Sequence, residues 1–234
     1  RLPQAIGDGD GNAVSVYVLP RRRAINHLLL DAPIRCSSLR TLGGQGNVFA
    51  IESFMDELAA VAKADPVAFR KAHLTDPRAI AVIDAVVDRA AWKPGQAPAV
   101  GKGRGFAYSR YKNTQTYADV VVALAGGTAW GKIQVESVYA ALDVGRVDNP
   151  DGVKNQIEGG MIQSNSWSLY EQVTFDAERI TSRDWVAYPV MSAAQMPHMD
   201  VVLIDRPEEA PLGAGEGSLG PASAAVANAF ANAT

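Results

Sequence analysis

Apolar positions along the chain change period several times, and each change marks an element. Val48, Ile51, Phe54, Met55, Leu58 and Ala62 recur every three to four residues, with Glu52, Asp56 and Glu57 elsewhere on the wheel, which predicts an amphipathic helix over 46–63. Asp65-Pro66 opens a short helix through His73, and Asp76-Pro77 opens another through about Ala91. Each proline stands at the first helical position, where its missing N–H costs nothing. After residue 103 the pattern turns strand-like: 104–109, 115–125 and 132–143 read as strands, the last two joined by the turn AGGTAWG. Asn149-Pro150 then caps a long helix through about Tyr170, carrying Ile157, Met161, Ile162, Trp167 and Leu169. Gly159-Gly160 in its middle costs about 1 kcal/mol per residue against alanine, so a very close neighbour is expected there. A hairpin around DAER (176–179), a strand at 199–204, a glycine loop and a small-residue helix from Pro221 follow. Upstream, VSVYVL (14–19) and INHLLL (25–30) read as short strands flanking RRR.

WKPGQAPAVGKGRG, 92–105, reads as a linker, dividing the chain into a helix-rich part, 1–94, and a strand-rich part, 95–234. Without a regular βαβ alternation, the fold class expected is α+β, a two-layer arrangement of helices on a mixed sheet. With hydrophobic residues at 47% of the 234 positions, the chain can bury a substantial core. A net charge of -3 with mixed signs, and RRR (21–23) as an isolated triplet, argue against a nucleic-acid partner. One cysteine, Cys36, excludes an intrachain disulfide and an iron–sulfur cluster held by this chain alone. No apolar run approaches the roughly 18 to 20 residues of a membrane span, and RLPQAIGDGDGN lacks the apolar centre of a signal peptide. A start at Arg1 is expected of a fragment, a processed chain or one piece of a longer polypeptide; cytoplasmic and periplasmic or membrane-associated settings stay open.

Several motifs read as structure. DGDGN (8–12) has Leu19 where a calcium loop needs its glutamate, so a turn is expected. GKGRG (101–105) lacks the setting of a dinucleotide site and reads as linker, while His27, His73 and His198 show no metal-ligand spacing, and no metal ligand is assigned. GEGSLG lacks the glycine two positions before Ser218 that a hydrolase elbow requires. Two loops stay open. SLRTLGGQGN (38–47) is either a helix-opening turn or a loop whose amides face a polar group. PLGAGEGSLGP (211–221) holds a lone Glu216 in backbone that can approach a ligand closely. If buried without a cation, that carboxylate would have a raised pKa suited to a general base.

LRTLGGQGNVFAIESFMDELA, DPVAFRKAHL, DVGRVDNPDGVKNQIEGGMIQ and DRPEEAPLGAGEGSLGPASAAVANAF, in that order, resemble the molybdenum-binding subunit of the xanthine dehydrogenase and aldehyde oxidase family. The similarity is greatest to its bacterial branch of nicotinate and isoquinoline hydroxylases and aldehyde dehydrogenases. The resemblance implies a molybdenum–pterin cofactor, expected as the cytosine dinucleotide, and hydroxylation of an N-heterocycle or an aldehyde with oxygen from water. It implies Glu216 as general base. Arg40, Gly43 and Gly44, with Leu39, match the family's arginine–glycine loop against the pterin, Gln156 matches a pterin-bonding glutamine, and Ala214 and Gly215 match backbone beside the metal. Implied partners are the rest of the molybdenum subunit, an iron–sulfur subunit, and a cytochrome c or flavin subunit. The family's GTEMGQG-type loop and substrate-orienting glutamate are absent from these residues, so half a site is expected. Leu42 replaces the aromatic that stacks purines. Cys36 does not fit the copper-binding cysteine of the carbon monoxide dehydrogenase branch and reads as a small loop residue. The alternative is a fragment that folds without cofactor or activity of its own.

Overall fold

The structure is a computed structural model describing residues 9–27, 29, 32–34, 39–126 and 133–234. Three helices come first: α1 (Gly44–Val61), α2 (Pro66–Ala72) and α3 (Pro77–Arg89). The prolines stand where the sequence places them, behind Asp65, which accepts from the Val67 and Ala68 amides, and Asp76, which accepts from Arg78 N. Strands β1 (Lys102–Arg110), β2 (Tyr117–Ala125), β3 (Gln134–Asp143) and β4 (His198–Ile204) form one mixed sheet in that order, antiparallel except for the parallel β3–β4 pair. Helix α4 (Pro150–Leu169), capped by Asn149, lies in the β3–β4 crossover, and α5 (Leu219–Ala233) ends the fold. This is the α+β architecture with a mixed sheet that the sequence leads one to expect, but not the expected two layers: α4 and α5 pack on one face of the sheet and α3 on the other, because the strands are apolar on both sides.

Alternation along the strands splits the core between the two sheet faces. Ala107, Val120, Val122, Ala140 and Leu142 meet Ile157 and Met161 of α4 and the alanines of α5. Phe106, Tyr108, Tyr117, Val121 and Ala141 meet Val82, Ile83 and Val86 of α3, with Met55 of α1 beyond. Helices thus cover both faces, and α3, which precedes the 92–105 stretch, packs on the sheet that follows it.

Three readings change. GKGRG is not linker but the start of β1, because glycine there serves packing. A Cβ on Gly105 would overlap the Ala225 carbonyl and the Ala229 amide of α5, and one on Gly103 the Ala229 carbonyl. The strand lies directly on the helix backbone. Gly105→Ala is therefore expected to destabilise by about 1–3 kcal/mol, the usual cost of overpacking, read as a lower denaturation midpoint at an unchanged slope. VSVYVL is not a strand: Tyr17 is fully buried, but Val14 and Val18 are exposed and Val18 N bonds His73 O, so the segment serves as an anchor without a ladder. The described part of INHLLL is likewise not a strand, with Ile25 and Leu29 exposed. Third, Glu52, read as part of a polar face, is buried. Of Gly159-Gly160, only Gly160 has the close neighbour expected: a Cβ there would strike the Ser218 hydroxyl. The DAER hairpin is present as a Phe175–Ile180 bridge. Cys36 and the AGGTAWG turn fall on or across residues outside those described.

Candidate functional site

The arginine–glycine loop, the middle of α4, the β1–β2 connection and the 211–218 loop converge on one another. Arg40 is the hub. Its Nε donates to Gly215 O at 2.8 Å, and Nη2 donates to the same carbonyl and, at 3.1 Å, to both Gln156 O and Gln156 Oε1. Its Nη1 donates to Gln163 Oε1 at 3.2 Å. The planar fork thus fixes α4, the loop before α1 and the glycine loop together. Both carboxamide oxygens accept from the guanidinium, which fixes the two side chains and leaves their NH₂ groups to donate.

Glu216 sits on the other side of this clamp. Thr41 N donates to Oε1 at 2.9 Å and the Tyr111 hydroxyl to Oε2 at 2.5 Å. To aim its amide this way the loop adopts left-handed backbone at Thr41 (φ 78°) and Leu42 (φ 56°), unusual for a β-branched and a bulky residue and the kind of strain that clusters at functional sites. The open question about SLRTLGGQGN resolves in this detail: Gly44 N and Gln45 N turn back onto Thr41 O and Oγ1, and the amide that faces a charged group is that of Thr41. Gly44 has a packing reason, since a Cβ there would stand 3.2 Å from the Tyr111 ring. Gly43 supplies the N-cap of α1, without a side-chain cap.

The condition for a raised pKa, burial without a cation, is not met at Glu216. Burial alone would raise it, but the Tyr111 hydroxyl, the Thr41 amide and then the charges of Lys112 and Arg40 outweigh burial and hold the carboxyl below the usual glutamate range. Glu216 is ionised throughout the neutral range. Glycine in the 211–218 loop permits the approach: a Cβ on Gly217 would come within 2.9 Å of Thr116 Cγ2, and Gly213 is held by Thr116 Oγ1 and Gln115 Oε1. Ala214 packs on the α4–α5 side of the core. Ser218 is buried and donates to Ile157 O at 3.2 Å, which makes it a structural hydroxyl.

Sequence reasoning missed Thr41, Tyr111 and Gln163. The last was within reach, since Gln156 and Gln163 stand seven residues apart on one face of α4. The profile of the molybdopterin cofactor-binding domain family matches residues 35–197, which include Arg40, Tyr111 and Gln156. The chain belongs to this family. It is thereby a member of the molybdenum-binding group that includes xanthine dehydrogenase and aldehyde oxidase. Among relatives, a nicotinate dehydrogenase chain of Pseudomonas putida is 39% identical over 247 residues, covering 100% of this chain and 21% of that protein. The β chain of isoquinoline 1-oxidoreductase of Brevundimonas diminuta is 36% identical, covering 93% and 28%. The chain thus spans between a fifth and a third of these relatives. Aldehyde oxidoreductase of Desulfovibrio gigas superposes with a TM-score of 0.70 at 15% identity, over 84% of this chain and 39% of that one, and so shares the family's fold.

Proposed function

We propose that this molybdopterin-binding chain supplies the general-base half of a molybdenum hydroxylase acting on an N-heterocycle or an aldehyde. Residues 1–94 contribute the arginine–glycine loop and 95–234 the glutamate loop. The observation that carries the reading is that Arg40 ties Gly215 and Gln156 together by hydrogen bonds while the next residue in each loop completes a second set, Thr41 N donating to Glu216. The residues fit a pterin-borne group on structural grounds: Arg40 fixes the two glutamines of α4 by their carbonyl oxygens, their NH₂ groups can donate, and Gly213 and Gly215 present bare backbone whose nearest neighbours would stand 3.7 and 3.9 Å from an added Cβ. Gln156, Arg40, Gly43, Gly44, Ala214 and Gly215 would hold the cofactor, which we expect as the cytosine dinucleotide. When bound, the cofactor supplies two-electron oxidation at molybdenum. Glu216 takes up the proton released as water's oxygen is transferred to substrate, and its ionised state at neutral pH leaves it ready to do so. The remaining walls of the site would come from the rest of the subunit, and the electrons would pass to iron–sulfur and cytochrome c or flavin subunits.

Elemental and mass analysis of the protein purified with its native partners tests this. Molybdenum near one per complex, with pterin, is expected; a folded complex lacking both would leave the fragment reading. Among the described residues, no helix is long and apolar enough to cross a membrane.

A further inference from the structure

The β1–β2 connection carries RYKNTQT, which nothing in the resemblance explains, yet it is built with unusual care. A short 3-10 turn at Tyr111–Asn113 places Lys112 (φ 50°) and Asn113 (φ 59°) in left-handed backbone. Asn12, from the turn at 9–12, offsets that strain: its side chain accepts from Lys112 N at 2.8 Å and donates to Arg110 O at 2.8 Å and to Asn113 Oδ1 at 3.1 Å. Asn47 of α1 in turn donates to Gly9 O and Gly11 O, fixing that turn. Tyr111 O accepts from Gln115 N and its own N donates to Thr116 O, closing the turn on itself. Its ring lies over Gly44, where no side chain intervenes. The outcome of all these contacts is one hydroxyl, donated to Glu216 Oε2 at 2.5 Å.

We propose that Tyr111 is a positioning residue that holds Glu216 Oε2 and sets its proton affinity, with the turn at 9–12 as the brace that fixes Tyr111. This rests on the reading of Glu216 as the general base. A hydroxyl suits the task because its bond to the ionised carboxylate is charge-assisted, while the one it makes by rotating to accept from the protonated acid is neutral and weaker, so it favours the ionised form yet holds Oε2 in both. Among the described residues, the charged groups acting on Glu216 are Lys112, on the same connection, and Arg40, from the loop before α1. Both remain when the hydroxyl is removed.

The test is Tyr111→Phe in the complete enzyme complex, which keeps the ring over Gly44. A base whose affinity for protons rises must lose activity at higher pH than before. The acid limb of kcat/KM is expected to move up by about one pH unit while KM at the pH optimum and the molybdenum and pterin content stay unchanged. Difference infrared titration, with the Glu216→Gln complex subtracted to isolate the carboxylate band, is expected to show the same displacement without turnover. Replacing Tyr111 with 3-fluorotyrosine, a more acidic donor, should move both midpoints the other way and covers the case in which Tyr111→Phe does not assemble. An unmoved limb and band in either replacement overturn the role of Tyr111. If Glu216→Gln itself turns over normally, the base assignment fails instead, so the two failures are distinguishable.

Discussion

Glu216→Gln in the complete molybdenum subunit is expected to cut turnover by about two to four orders of magnitude, the span of a general base, with cofactor content and substrate KM preserved. Glutamine keeps the length and volume of the side chain. Its carbonyl can still accept from Thr41 N, now a neutral hydrogen bond in place of a charge-assisted one. Its NH₂ meets the Tyr111 hydroxyl, which can reverse and accept. What disappears is the ability to hold a proton. Arg40 still ties Gly215 O to Gln156, so the loop has no reason to move. The measurement is kcat and kcat/KM on preparations matched for molybdenum, and turnover near that of the parent would remove Glu216 from the chemistry. Loss of cofactor together with turnover would instead make the residue a structural strut.

The fold was legible where a local rule decides it. Asp65, Asp76 and Asn149 each precede a proline, each starts a helix, and each side chain accepts from that helix's first-turn amides. It was illegible where glycine answers to a distant element. Gly103 and Gly105 look like linker until α5, more than a hundred residues later, is laid across them. VSVYVL alternates like a strand, but a strand needs a partner edge, and that information is absent from six residues. The site divides in the same manner. Arg40, Gln156 and Glu216 stand in motifs whose order could be read along the chain. The environment of Glu216 could not: its donors, Tyr111 and Thr41, lie 105 and 175 residues away, and they reverse the direction of its pKa. A lone carboxylate in a glycine loop says that something will approach it, not what.

Arg70→Ala is expected to cost about 3–5 kcal/mol, the largest stability loss of any single change considered, because it strips the cation from a buried cluster of acids. Arg70 and Glu52 are both fully buried. The guanidinium donates from Nε to Glu52 Oε2 at 2.8 Å, from Nη2 to Glu52 O at 2.7 Å, and from Nη1 to Asp56 Oδ1 at 2.5 Å and to Pro66 O at 3.1 Å. Glu52 also accepts from Tyr17 OH and Tyr108 N, so this one pair joins the N-terminal anchor, α1, α2 and β1. Asp119, on β2, is fully buried with neither carboxyl oxygen hydrogen-bonded; burial and then Glu52 push its pKa well up, and Arg70 opposes them. Burial likewise raises Asp56 against the pull of Arg70. Removing Arg70 leaves these carboxyls to repel one another in a medium that solvates them poorly, and opens a void over the Phe106 ring, where the guanidinium lies 5.3 Å from the centroid. For a chain of this length the loss corresponds to a fall in Tm of about 10 °C. The sign of the pH dependence follows. Carboxyls whose folded pKa is raised give stability that is whole below their unfolded pKa and is lost as pH rises through the folded value, so the deficit should be smallest in mild acid and deepen toward neutrality. Denaturant titrations across that range check it. In a double-mutant cycle, Glu52→Gln with Arg70→Met should cost less than the sum of the two changes alone, since the apolar stem then faces an amide and no unpaired carboxylate remains at position 52. Simple additivity would mean that packing, and not charge, holds this corner of the fold.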